Sequence, residues 1–362
     1  MSAPIAIALS GGVDSLVSAA LLLEEGHEVV GVHFLTGFEI DARPPLVDKP
    51  SLGATFPAGS ASIEKIGAIA AALHIPLKII DLREQFQKEV VDYFVRAYQA
   101  GRTPNPCLVC NRAIKFGILF EKARQMGAGS MATGHYARIR EGPDGRRRLL
   151  RGVDPLKDQA YFLARLSGKQ LQNVVLPLGD YTKEETRRMA ASRGLRPPVS
   201  RESQDICFIK DGAYGQFLQS QPDFVASPGP IQTLRGEVIG SHKGLHLFTV
   251  GQRRGINCPA ALPYYVVRMD AAENRLIVGF KEDLLADQCQ VDEINWIGEP
   301  PRRALEIEIK LRYRHPATEA RLIPVGEVGA RVEFARSQTA VTPGQGAVFY
   351  QGAEVLGGGW IR

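Results

Sequence analysis

Ala8-Leu9-Ser10-Gly11-Gly12-Val13-Asp14-Ser15 is the stretch on which the reading of this chain turns. An apolar run over 5–9 precedes it, a helical pattern over 15–25 follows until Gly26 stops it, and 29–34 is again extended. Strand, turn, helix and strand in that order make a βαβ unit. Its first turn suits an anion. Glycines allow the tight turn, Ser10 and Ser15 add hydroxyl donors, and the unpaired N–H groups of the helix point outward, so phosphate is the natural guest. Asp14 is expected to hold a divalent cation, Mg2+, that bridges the phosphates. A Walker loop would need a Lys that this stretch lacks, which disfavours P-loop kinase-type chemistry. Gly127-Ala128-Gly129-Ser130-Met131-Ala132 has the spacing of a dinucleotide fingerprint, but it follows a helix and precedes a strand, the reverse of what that fingerprint requires.

Outward from this unit the alternation continues. Residues 61–73, 90–99 and 107–126 read as helices, 77–81 and 131–133 as strands, which implies a mostly parallel sheet covered by helices on both faces. Residues 41–60, with Pro44-Pro45, Pro50 and Pro57, read as a loop insertion. Beyond about residue 200, helical periodicity thins and short β-like runs appear. Over 305–312, Leu305, Ile307, Ile309 and Leu311 alternate with Glu306, Glu308, Lys310 and Arg312, the pattern of a half-buried antiparallel strand. Similar runs at 331–334, 346–350 and 355–361 predict a terminal β-barrel or sandwich. The expected fold class is α/β: an N-terminal parallel-sheet nucleotide-binding domain over 1–204, a small mixed central domain over 205–284 and a C-terminal β-barrel over 285–362.

The 362 residues amount to about two and a half domains at roughly 150 residues each. Hydrophobic residues at 44% and charged residues at 23% exclude a disordered or fibrous chain. No apolar run reaches the roughly 18 to 20 residues that cross a bilayer, and no basic leader opens the chain, so a cytoplasmic protein without a membrane partner is expected. Five cysteines, odd in number, argue against a disulfide framework and for a reducing compartment. The net charge of +5 permits a nucleic-acid partner without identifying one. Basic clusters at Arg146-Arg147-Arg148 with Arg151, Arg187-Arg188, Arg253-Arg254, Arg302-Arg303, and Arg312 with Arg314 are candidates for phosphate contacts. Arg312, on the polar face of its strand beside Tyr313, is placed to meet backbone and base.

Cys107 and Cys110 form a C-x-x-C behind Asn105-Pro106, a good N-cap and first helical residue. Both thiols then fall in the first turns of a helix, whose positive end favours thiolate. Nothing around Cys258 and Cys289 suggests chemistry, and both read as small buried hydrophobes.

The loop Ser10-Gly11-Gly12-Val13-Asp14-Ser15 resembles the signature of the PP-loop ATP pyrophosphatases, which cleave ATP between the α and β phosphates. Further blocks follow in order: Thr103-Pro104-Asn105-Pro106 with Cys110-Asn111, Lys115-Phe116, Ala132-Thr133-Gly134-His135-Tyr136, Lys157-Asp158-Gln159, Ile206-Cys207-Phe208-Ile209, Phe248-Thr249-Val250-Gly251-Gln252-Arg253-Arg254-Gly255 and Val341-Thr342-Pro343-Gly344-Gln345. Together they resemble the bacterial tRNA-specific 2-thiouridylase family.

That resemblance implies an ATP-dependent sulfurtransferase. It would adenylate O2 of the wobble uridine of certain tRNAs and replace that oxygen with sulfur, giving 2-thiouridine, AMP and pyrophosphate, with the base flipped from its stack. It implies ATP contacts at Ala8, Leu9, Ser10, Gly11, Gly12, Val13, Asp14, Ser15, Phe34 and Gly134. It implies Cys207 as the carrier of a persulfide and Cys110 as the catalytic thiol that attacks it or is left joined to it as a disulfide. It implies tRNA contacts at Asn105, Pro106, Cys107, His135, Lys157, Asp158, Gln159, Arg312, Tyr313 and Gln345. The implied partners of this monomer are tRNA and a sulfur-donor protein, a sulfur carrier or a cysteine desulfurase.

Arg201, Glu202, Ser203 and Gln204 read as a mobile polar approach to Cys207. Cys107 departs from the family pattern, where an Asp stands as acid/base. With Cys110 and Cys207 it makes three thiolates, an alternative set for a [4Fe-4S] cluster with one iron open. A zinc site lacks a fourth ligand. Two rival readings remain: a PP-loop amide-forming ligase, in which no cysteine is essential, and an RNA-binding or redox-sensing module, which would release no pyrophosphate in response to tRNA.

Overall fold

The computed structural model describes residues 3–39, 61–195, 206–209 and 213–362; the loop expected over 41–60 and the polar approach expected over 201–204 lie outside the described residues. In chain order the first part forms β1 (Ile5–Ala8), β2 (Val29–Leu35), β3 (Leu77–Asp81), β4 (Ser130–Ala132), a hairpin of β5 (Ala137–Glu141) and β6 (Arg147–Arg151), and β7 (Val174–Val175). Strands β3-β2-β1-β4-β7 lie side by side in that order, every neighbouring pair parallel. Helix α1 (Val13–Glu24) returns the chain from β1 to β2, and α2 (Ala61–Ala72) leads to β3. Residues 15–22 of α1 are all buried. Sealing a leucine such as Leu16 or Leu22 from water contributes about 1.5–3 kcal/mol. The burial fixes the start of α1 against the carboxyl ends of the strands, where open α/β sheets hold their ligands.

The helices expected near 90–99 and 107–126 are present but contain a wider turn. Arg83–Phe86 continues through Gln87–Val91 into Asp92–Gln99, and Pro106–Val109 through Cys110–Leu119 into Phe120–Gln125. The middle segment of each is π-helical, with i→i+5 hydrogen bonding. In the second run the wide turn needs Gly117: a Cβ there would stand 2.8 Å from the carbonyl oxygen of Arg112, five residues back.

The central part holds β8 (Gly229–Thr233), β9 (Val238–His242), β10 (Tyr265–Asp270) and β11 (Arg275–Gly279), ordered β10-β11-β8-β9 with only β11–β8 parallel. The last part is β12 (Leu285–Trp296), β13 (Leu305–Lys310), β14 (Thr318–Val325), β15 (Gly329–Thr339), β16 (Gly346–Gln351) and β17 (Glu354–Ile361). They run β12-β15-β14-β13-β16-β17, and β17 pairs back onto β12 to close a six-stranded barrel. The alternation over 305–311 is realised: Ile307, Ile309 and Leu311 are buried in the barrel.

Two expectations need correction. β13 ends at Lys310, so Arg312 lies past the strand rather than on its polar face. The hairpin β5–β6, from the sequence of the first domain, extends the barrel sheet through β17, with Leu150 opposite Glu354. The two parts also share one core, in which Val348, Tyr350 and Val355 of the barrel pack with Phe94, Leu108 and Tyr161. Among the described residues no helix is long and apolar enough to cross a membrane.

Candidate active site

Gly12 is the N-cap of α1 and has no side chain to cap the first N–H groups of the helix. The Ser10 N–H donates to Ser15 Oγ (3.3 Å), and Ser15 Oγ donates to the Gly12 carbonyl (3.0 Å), which folds the loop around the helix start. Phe34 stands on β2, half-buried. Its neighbour His33 bonds through Nδ1 to the Leu9 carbonyl (2.8 Å), and burial holds its pKa below the ordinary value. Gly134 meets the loop from above. A Cβ on it would lie 2.8 Å from the carbonyl carbon of Asp14 and 2.9 Å from the Ser15 nitrogen, so backbone presses on backbone. Gly134→Ala should therefore weaken ATP binding at least about tenfold, since 1.4 kcal/mol of displacement suffices; equilibrium dialysis giving the parent affinity would refute this packing.

Asp14 is not free to hold a cation. Lys183 Nζ contacts both its oxygens, at 2.7 and 2.8 Å, and Tyr136 Oη donates to Oδ1 at 2.8 Å. Lys183 is only 6% exposed. Its backbone N–H donates to Asp154 Oδ2 (2.9 Å), and a reciprocal Thr182–Glu185 capping box starts its helix, Lys183–Ser192. A carboxylate held this way does not fit a free Mg2+ ligand; the charge that the nucleotide loop meets is the ammonium of Lys183.

Three thiols share the field of Lys115 with His135. All five cysteines are free; Cys107 is half-buried, Cys110 buried and Cys207 exposed. Burial pushes the Cys107 thiol up to about 11, Cys207 adding to the rise, and pushes Cys110 up to about 12, both other thiols adding. Desolvation also raises Cys207, and Lys115 opposes the rise at all three. Lys115 stands five residues after Cys110 inside the π-helical segment Cys110–Leu119. His135 sits in the same field. Burial first and Lys115 second hold its pKa well below the imidazole range, so the ring is neutral, bonded to Thr133 Oγ1 at 2.7 Å and 6.2 Å from the Phe116 ring.

No group of three or more Cys, His, Asp or Glu among the described residues is gathered closely enough to hold a metal ion. The set Cys107, Cys110 and Cys207 therefore does not fit an iron–sulfur cluster as arranged. Exposure orders their reactivity: iodoacetamide at pH 8 should label Cys207 at least about tenfold faster than Cys110, and peptide mapping that finds Cys110 labelled first would contradict this geometry.

Comparison with known proteins bears directly on this pairing of a nucleotide loop with thiols. The tRNA methyl transferase HUP domain family matches residues 3–211, the tRNA methyl transferase PRC-barrel domain family 216–280 and the aminomethyltransferase beta-barrel domain family 286–361. The chain is 48% identical over 358 residues to the tRNA-specific 2-thiouridylase MnmA of Desulfosudis oleivorans, covering 99% of this chain and 94% of that protein. It is 44% identical to that of Geotalea uraniireducens (99% and 94% covered) and 43% to that of Geobacter metallireducens (99% and 96%). The chain belongs to the tRNA-specific 2-thiouridylase family.

In this 2-thiouridylase chain the residues expected at tRNA fall into two adjoining groups. Asn105 caps the Pro106–Val109 turn, accepting from Leu108 N–H (3.4 Å), and donates to Tyr161 Oη. Gln345 Nε2 donates to the Thr103 and Pro104 carbonyls, at 3.0 and 3.1 Å. Tyr313 packs on Phe162 and Tyr161. In the second group, Gln159 Oε1 accepts the Tyr136 N–H (2.9 Å) and Asp158 Oδ1 accepts the Gly152 and Ala160 N–H groups, which ties the Lys157-Asp158-Gln159 turn to the segment holding His135.

Arg312 departs from expectation in its contacts as well as its place. Its Nη2 donates to the Val250 and Ala340 carbonyls and to Thr342 Oγ1, clamping the central part to the barrel. The Arg146–Arg151 cluster is likewise committed to the fold: Arg146 pairs with Glu299, Arg148 with Glu354, and Arg151 with Glu308 while lying over the Tyr350 ring. Sequence reasoning missed Lys183, Tyr136 and the role of Lys115. A lysine opening a capped helix at Thr182-Lys183 was the available signal for the first; for the other two only the tertiary fold supplies one.

Proposed function

We propose that this chain is an ATP-dependent tRNA-uridine 2-sulfurtransferase, acting in the cytoplasm on the wobble uridine with sulfur from a donor protein. The observation supporting it is that residues 132–136 serve two sites at once. Gly134 and Tyr136 meet the nucleotide loop at Asp14, while His135 shares the field of Lys115 with three thiols. Thiolation at C2 needs the same adjacency, since activation by ATP and attack by sulfur converge on one carbon.

The reaction runs in three balanced steps. Uracil O2 attacks the α phosphorus of ATP, the N3 proton leaves, and pyrophosphate departs, giving an O2-adenylyl uridine. Lys183 and the N–H groups opening α1 stabilise the charge that builds on the phosphates. The outer sulfur of a Cys207 persulfide then adds to C2 and AMP leaves. Finally the Cys110 thiolate attacks Cys207 Sγ, so a Cys110–Cys207 disulfide forms, the sulfur stays on C2 as 2-thiouridine, and an external thiol reduces the disulfide. Lys115 favours the thiolate that Cys110 needs.

The test is incubation with ATP, a persulfide-forming donor (a cysteine desulfurase with cysteine), a reducing thiol and unmodified tRNA, followed by mass spectrometry of the nucleosides. 2-Thiouridine and stoichiometric pyrophosphate are expected. Pyrophosphate formed with a carboxylate and ammonia but not with tRNA would replace this reading by the amide-forming ligase.

A further inference from the structure

The helical run 106–125 has a second face, turned to a groove. Val109, Arg112, Ala113, Phe116 and Gly117 line an open groove of about 990 Å³ from which Cys110 and Lys115 are absent. Six of the groove's lining residues are Arg or Lys and three are Glu. Arg124 is paired with Glu121 at 3.4 Å, but the exposed Arg96, Arg102, Arg112 and Lys169 have no carboxylate partner among the described residues.

The floor holds the decisive group. Arg165 is 8% exposed, with its guanidinium carbon 4.5 Å above the Trp360 ring, which itself stacks on Tyr93 at 5.5 Å. Its Nη1 is buried without a hydrogen-bond partner, and the nearest carboxylate to Nη2, on the largely exposed Glu293, is 3.8 Å away. An unpaired buried donor costs about 1–3 kcal/mol, more on a charged group. Burial, then the neighbouring Arg112 cation, disfavour its charge. A guanidinium held over an aromatic ring with an unpartnered N–H can grip an oxyanion.

The rim indicates which anion. Arg102 and Gly344 line the groove, each next to residues that meet at the Gln345–Thr103 bond, and Tyr93 Oη accepts the Asn105 N–H at 3.4 Å. The groove thus opens onto the loop of Asn105 and Gln345. We propose that this groove binds backbone phosphates of the tRNA flanking its target nucleotide, with Arg165 and Arg112 as phosphate ligands. This rests on the tRNA reading above and assigns that substrate a second, sequence-independent contact.

Counterion release provides the test, since each phosphate neutralised adds about 0.7–0.9 to the slope of log affinity against log salt. Unmodified tRNA is titrated by filter binding at several salt concentrations against the parent, Arg112→Gln, Arg165→Gln and the double variant. Arg112→Gln should lower the slope by about 1 and weaken binding about fivefold at 0.1 M salt; the double variant should lower the slope by about 2. At subsaturating tRNA the rate of 2-thiouridine formation should fall in step with the lost affinity, the loss appearing in KM. Arg112 is exposed, so its variant decides the matter if Arg165→Gln fails to fold.

Parental affinity and slope in Arg112→Gln overturn the proposal. So does a variant that binds tRNA normally but thiolates only with inorganic sulfide and not with a donor protein, which would make the groove a protein-docking surface. If the parent itself neither binds tRNA nor forms 2-thiouridine, the functional reading fails first; if the parent does both and the variants keep its slope, only the groove assignment fails.

Discussion

Cys110→Ser is expected to keep tRNA-dependent pyrophosphate release while losing 2-thiouridine formation by at least about 10³-fold, the scale seen when one member of a concerted catalytic set is removed. The two readouts separate because ATP is cleaved at the loop of α1, whereas Cys110 enters only when the S–S bond of the adduct on Cys207 is broken. A serine hydroxyl is a far weaker nucleophile and cannot form the disulfide. With no thiol to resolve it, tRNA should stay joined to Cys207 through two sulfurs, as a band on a non-reducing gel that dithiothreitol removes. Cys207→Ser should show neither product nor band. The Cys110 side chain is buried in the main core, so exchanging a thiol for a hydroxyl there should also destabilise the fold by about 1–2 kcal/mol, read as a lower Tm. Thiolation by Cys110→Ser at the parent rate would remove the resolving step from the mechanism.

Lys183→Met should lower tRNA-dependent pyrophosphate release about 10²- to 10³-fold, the usual effect of deleting one preorganised charge at a site of developing negative charge. Its structural effect should be visible alongside. Breaking a fully buried ion pair costs about 3–5 kcal/mol, but Asp14 is about a third exposed and keeps Tyr136, so a smaller loss is expected. Adding Asp14→Asn to Lys183→Met removes the stranded carboxylate and should recover much of the Tm while leaving ATP cleavage lost. Recovery of both together would mean that the pair only holds the fold; full ATP turnover in Lys183→Met alone would exclude the lysine from the chemistry.

Local pattern made much of this architecture readable. Apolar runs at β1 to β3 and the glycine-serine turn before α1 act over a few residues, and strict alternation over 305–311 fixes which face of β13 enters the barrel. What stayed hidden depends on partners far away in sequence or on hydrogen-bond register. The same sequence can make backbone i→i+4 or i→i+5 bonds, so nothing in Cys110–Leu119 announced its π-helical register. Arg312 looked like a free cation on a strand because Val250 and Ala340, which satisfy it, belong to other parts of the chain. In the conspicuous run Arg146–Arg151, Arg146, Arg148 and Arg151 proved to be ion-paired, whereas the groove cations are scattered from Arg96 to Lys169 and become a cluster only in three dimensions.

The shared core of the first and last parts sets an order on biosynthesis. Phe94, Leu108 and Tyr161 leave the ribosome long before Val348, Tyr350 and Val355, the barrel residues that cover them, and Tyr161 Oη must wait for the Gly346 carbonyl it donates to at 2.9 Å. At about 5–20 residues per second, the nascent chain spends on the order of ten seconds or more with that apolar surface unsealed. A message broken near its end would therefore yield a product with an open core, prone to aggregate or be degraded, rather than an active enzyme merely lacking an accessory barrel.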